Sequence, residues 1–142
     1  MKVAVVHYHL ERGGVTRVIE NTLASFEQKD SSINFVVLTG RKYKGDKIKN
    51  VRIVDGLDYA SPNDSVDPAK LKERMEEAAL TALGGKPDIW HIHNHSLGKN
   101  PSLTKATSLI AETNSCVLLH PHDFAEDGRP TNFGALKDVY PK

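Results

Sequence analysis

The feature that most constrains this chain is the run Val3-Ala4-Val5-Val6, a continuous apolar segment rich in β-branched residues. Such a run has no polar face. It suits a strand covered on both sides, the usual condition of a parallel sheet. Val15, Val18, Ile19, Leu23 and Phe26 follow at helical spacing, after the break at Arg12-Gly13-Gly14. Ile33 to Leu38, Val51 to Val54, Ile89 to His93 and Cys116 to Leu119 are four more strand candidates. Asp67-Pro68 opens a helix whose buried face is Leu71, Met75, Ala78, Ala79, Ala82 and Leu83, and Gly84-Gly85 closes it. Asn100-Pro101 opens another helix by the same cap chemistry. After Asp123 the pattern weakens, and residues 130–142 read as loop with one or two further helical turns. Strands that mostly alternate with helices predict an α/β, Rossmann-like three-layer sandwich. Its parallel sheet would hold about five strands, with right-handed crossovers and the order 3-2-1-4-5. A length of 142 residues fits one domain.

Composition narrows the functional classes. The formal net charge is +1, which gives no global attraction to nucleic acid. The single cysteine, Cys116, has no partner within the chain and fits a reducing compartment. The opening apolar run is too short for a secretory signal, and no stretch is long enough to span a bilayer. The expectation is a cytoplasmic protein.

The histidines carry the most chemistry. There are seven, in three clusters: His7 and His9, then His91, His93 and His95, then His120 and His122. Each cluster lies where a predicted strand ends. In a parallel sheet those ends share one edge, and ligands bind there at the point where the strand order reverses. His7 and His9 are therefore expected to face the second cluster across a crevice. Three readings compete. His-x-His on a strand puts two rings on one face, as a metal site needs, and a small metal-dependent hydrolase would use His7, His9, His91, His93 and Asp123. Imidazoles also hydrogen-bond sugars and phosphates. Finally, histidines at strand ends can be packing residues with solvated tips, and His91, next to Trp90 in mid-strand, is the first candidate for a structural one.

Gly13-Gly14 lies between the first strand and the first helix, where backbone amides and a helix N-terminus can hold an anion. No Gly-x-Gly-x-x-Gly, Walker loop or Gly-x-Ser-x-Gly is present. The segment from His120 to Pro130 gathers His122, Asp123, Glu126, Asp127 and Arg129 just past a strand end. His122-Asp123 is the leading pair in it; a salt-bridged surface loop is the plain alternative for Glu126 and Asp127. Arg41, Lys42, Lys44, Lys47, Lys49 and Arg52 form a basic stretch. It fits a phosphorylated acceptor, an anionic membrane surface or simply a solvated loop.

Three segments together resemble the N-terminal domain of GT-B fold glycosyltransferases of the large retaining family four. They are Met1 to His7 with Gly13-Gly14-Val15-Thr16-Arg17-Val18, then Pro87-Asp88-Ile89-Trp90-His91-Ile92-His93-Asn94, then Val117-Leu118-Leu119-His120-Pro121-His122-Asp123. They span most of the chain. The resemblance implies transfer of a sugar from a nucleotide-sugar donor to a sugar or lipid-linked acceptor, with no metal and no further cofactor. His122 and Asp123 would stand at the donor sugar as the catalytic pair. Gly13 and Gly14 would approach the donor diphosphate or the acceptor, and His93, Asn94, His9 and Arg129 would contact substrate. Family enzymes carry a second Rossmann domain with most nucleotide contacts and a Glu-x7-Glu motif, neither of which lies in this sequence. The expectation is therefore an acceptor-side domain, cut short after its fifth strand and inactive alone. An apolar surface left open would allow a homodimer. A non-catalytic binding domain is the remaining alternative.

Overall fold

The computed structural model describes residues 1–29 and 32–139. The order of elements is β1 (Lys2–Val6), α1 (Gly14–Lys29), β2 (Asn34–Thr39), β3 (Val51–Ile53), α2 (Pro68–Leu83), β4 (Ile89–His93), α3 (Pro101–Ala111), β5 (Cys116–His120) and α4 (Pro130–Leu136). The five strands form one sheet in the order β3-β2-β1-β4-β5, and every pairing is parallel. This is the expected Rossmann-like α/β sheet. Several boundaries move by one residue: β1 begins at Lys2, β2 runs from Asn34 to Thr39 in place of Ile33 to Leu38, Val54 lies just outside β3, and His120 completes β5. The weak C-terminal pattern contains the seven-residue α4, while positions 140–142 lie outside the described residues.

The two faces of the sheet are covered unequally. On one face Ala4, Val6, Val36, Leu38, Trp90 and Ile92 pack with Leu71, Met75, Ala79 and Leu83 of α2 and Leu103, Ala106 and Ile110 of α3. On the other, Val3, Val5 and Val37 pack with Ile19 and Leu23 of α1. That second layer reaches β1 and β2 but leaves β5 open, so Leu118 is 52% exposed. Cys116, read as part of an apolar run, is exposed as well.

The helix starts behave as their sequences require. The Asp67 side chain accepts from the Lys70 amide, and Gly84 closes α2 in the left-handed conformation. Asn100 caps α3 through the Leu103 amide and is fully buried. Its Nδ2 also donates to the carbonyls of Gly56 and Asp58, at 2.8 and 2.7 Å. One side chain thus starts α3 and anchors the long loop between β3 and α2. None of the described helices is long and apolar enough to cross a membrane.

Candidate functional site at the carboxyl edge of the sheet

The strand order reverses between β1 and β4, which pair from Val3↔Ile89 to Val6↔Ile92. The loops that leave β1, β4 and β5 therefore meet at one edge, the usual ligand position in an open α/β sheet. Alternation along each strand sends Val3, Val5 and His7 to the same face as Ile89, His91 and His93. β5 pairs with β4 in the register His91↔Leu118 and His93↔His120, which adds His120 to that face.

The result is a contiguous group of imidazoles. The His7 and His93 ring centroids are 6.3 Å apart, so the expected approach across the crevice occurs. His91 and His93 lie 4.3 Å apart, and His120 and His122 stack at 4.4 Å with 12° between planes. Two ring-to-ring hydrogen bonds cross from β4 to the end of β5. His91 Nε2 meets His120 Nδ1 at 3.1 Å, and His93 Nδ1 meets His122 Nε2 at 2.9 Å. His91, expected to be structural, is thus a half-buried member of the group. His95 lies outside it: the residue is buried, makes no ring contact with the others among the described residues, and has no partner at Nδ1.

Burial and mutual repulsion lower the pKa of four of these rings, His7, His91, His93 and His122. Burial, then the charge of His9, lowers the His7 pKa from 6.5 to about 4, although His7 also hydrogen-bonds the main chain of His93. Burial, then His120, takes His91 to about 4 as well. His93 is pushed down further, by burial first and then by His91. His122 is lowered by burial and His120, against an opposing pull from Asp123.

Asn94 builds the turn that holds the His122-Asp123 pair. It sits at φ 55, a left-handed conformation that asparagine tolerates. Its Oδ1 accepts from the amides of His122 at 2.7 Å and Asp123 at 3.1 Å. Tyr8, wholly buried, donates its hydroxyl to the Asn94 carbonyl at 2.8 Å. Three loops are therefore tied at one residue. The Asp123 carboxylate is half-exposed and faces Arg129 at 3.4 Å, while Arg129 also donates to the Phe124 carbonyl at 2.9 Å.

Gly13 and Gly14 sit at the mouth of a second feature, a cleft of about 910 Å³ between the start of α1 and the loop after β2. Six cations line it (Arg12, Arg17, Arg41, Lys42, Lys44 and Lys47) against Glu11 and Glu20. Arg41 is held by Glu11 and Asp58, and Lys47 by Glu20. Arg12, Arg17, Lys42 and Lys44 are exposed and form no ion pair among the described residues. A side chain at Gly14 would meet nothing within 4 Å. The backbone does not demand glycine there, and the space above the first turn of α1 is open to a ligand. His9 joins this cleft to the imidazoles: its ring is 5.7 Å from His7 and 4.9 Å from Tyr59, which in turn lies under Arg41 at 5.7 Å.

The sequence reading did not include Tyr8, Tyr59 or Asp58. Tyr8 carried a usable signal, as an aromatic residue between two histidines at a strand end. Tyr59 and Asp58 arrive from the loop of residues 55–67, which has no periodicity to read.

No family model matches the chain, and no solved structure matches it. The chain is similar to a curated protein, mannosylglucosyl-3-phosphoglycerate synthase of Petrotoga mobilis, with 28% identity over 145 aligned positions. The match covers 94% of this chain and 28% of that protein, so the chain spans a little over a quarter of its relative's length.

Proposed function

We propose that this chain is the acceptor-side, N-terminal domain of a retaining GT-B glycosyltransferase acting on a phosphate-bearing sugar acceptor. The observation that carries the reading is the open, cation-lined cleft over Gly13-Gly14, connected from His9 through His7 and His93 to the His122-Asp123 turn at the strand-order reversal. The Petrotoga relative supports it, since its name states a product built of mannosyl, glucosyl and 3-phosphoglycerate units.

In this reading the amides of Gly13 and Gly14 and the guanidinium groups of Arg12 and Arg17 receive the acceptor's anionic end. His9, His93 and Asn94 border the sugar ring. His122, neutral and fixed by Asn94, hydrogen-bonds the donor sugar at the reacting carbon, and Asp123, set by Arg129, stands beside it. Most contacts to the nucleotide sugar come from a second domain, so sugar transfer needs both. The chain uses no further cofactor for this step.

Calorimetric titration of the chain with glucosyl-3-phosphoglycerate, and with 3-phosphoglycerate alone, tests the reading. Saturable binding is expected. The double variant Arg12→Ala, Arg17→Ala should bind about tenfold more weakly, the loss of a charge-assisted hydrogen bond. Absence of binding, or equal affinity in the variant, would overturn it.

A further inference from the structure

We propose that His91, His93 and His120, with His122 beside them, form a binding site for a borderline divalent transition metal such as Zn²⁺ or Co²⁺. The inference rests on the imidazole geometry and not on sugar transfer; because His93 and His122 also belong to the proposed sugar site, a bound ion would compete with the sugar for them.

The ligand geometry comes from the sheet itself. His91 and His93 alternate onto one face of β4, and the register of β5 sets His120 opposite His93. One nitrogen from each of His91, His93 and His120 lies within 4.8 Å of the other two. Ligand nitrogens around a tetrahedral zinc, each at about 2.0–2.1 Å from the ion, are about 3.3 Å apart. The His91–His120 pair is already at 3.1 Å and the His93–His122 pair at 2.9 Å. Rotation of the rings about χ2 would have to bring the third nitrogen in from within 4.8 Å. On binding, the ring-to-ring hydrogen bonds would be exchanged for metal–nitrogen bonds.

The chemistry of the donor set selects the ion. All the ligands are imidazole, and Asp123, the carboxylate next to His122 in sequence, faces Arg129. A nitrogen-only set suits zinc, cobalt, nickel or copper, and disfavours magnesium and calcium, which require oxygen. Access is direct. His91 and His93 also line a pocket of about 150 Å³ between α1 and the sheet, beside the half-exposed Leu118. Such a group has little purpose as packing, since Leu118, opposite His91, fills the same face and is half-exposed.

The test is titration of the untagged, chelator-stripped full chain with CoCl₂, followed by visible d–d absorption, and then displacement with ZnCl₂. One equivalent of Co²⁺ should give tetrahedral-type bands at micromolar affinity, lost on adding one equivalent of Zn²⁺. His91→Ala and His120→Ala should each weaken binding by at least about tenfold. His95→Ala, outside the group, should leave it unchanged. His120 is on the edge strand and half-buried, so His120→Ala decides the matter if His91→Ala fails to fold. Absence of the bands, millimolar affinity, or wild-type affinity in a folded His120→Ala variant would overturn the proposal.

Discussion

Asn94 is the residue on which the site depends most. It is buried, left-handed, and bonded through its side chain to two amides of the next strand's loop. Replacing it with alanine leaves those half-buried amides unpaired and keeps a β-carbon at positive φ without the side-chain bonds that hold it there. The expected loss is about 2–4 kcal/mol, from unsatisfied donors and left-handed strain together. Asn94→Gly removes the bonds but not the conformation, and should be about 1 kcal/mol less damaging than alanine. Urea unfolding of the two variants checks this. Equal losses would mean that the backbone strain is absent. The position was legible in the sequence only as a member of a motif; its side-chain role depends on β5 lying beside β4, which no local pattern states.

At the scale of elements, the two cap motifs were read correctly for a simple reason: Asp-Pro and Asn-Pro carry their structural meaning within four residues. Their energetic weight was not legible. Asp67 is exposed and caps only its own helix, whereas Asn100 is buried and also holds the residue 55–67 loop. Asp67→Ala should cost about 1 kcal/mol, and Asn100→Ala about 1 kcal/mol more, because two half-buried carbonyls also lose their donor. Chemical denaturation of both variants measures the difference.

The imidazoles on β1, β4 and β5 also give the fold a pH dependence of definite sign. His7 and His91 have their pKa lowered from 6.5 to about 4 on folding. The unfolded chain therefore binds these protons first. The stability they contribute is complete above pH 6.5 and is lost as the pH falls toward 4. Thermal melts with chelator present should show a midpoint that falls from about pH 6.5 downward, and His91→Leu should reduce that fall. A flat profile, or one unchanged by His91→Leu, would show that the rings are not held neutral. The individual histidines were conspicuous in the sequence, and two His-x-His pairs at the ends of strands already read as neighbours implied contact between them. What could not be read was the register, Ile89↔Cys116, that sets His120 opposite His93 and within hydrogen-bond reach of His91.

At the scale of the whole molecule, sheet order followed from the alternation of strands and helices, and the order placed the site. Between two patterned strands at a switch point, few other arrangements exist. The irregular segments resisted the same treatment. The loop of residues 55–67 brings Asp58 to Arg41 and Tyr59 to His9 across a distance that neither periodicity nor turn chemistry specifies. The basic stretch after β2 was visible, but its arrangement around the start of α1 appears only in three dimensions. That arrangement has an electrostatic consequence: binding of a phosphorylated acceptor to exposed Arg12, Arg17, Lys42 and Lys44 should weaken as salt rises from about 0.05 to 0.5 M, as the Debye length shortens.

The central claim is that the cleft over Gly13-Gly14 and the His122-Asp123 turn form one acceptor site. Its most direct test is a ¹⁵N-edited NMR titration of the chain with glucosyl-3-phosphoglycerate. The account predicts saturable shifts at the amides of Gly13, Gly14 and Arg17, together with shifts at Asn94, His122 and Asp123. Shifts confined to one of the two groups, or spread over α2 and α3 instead, would contradict it.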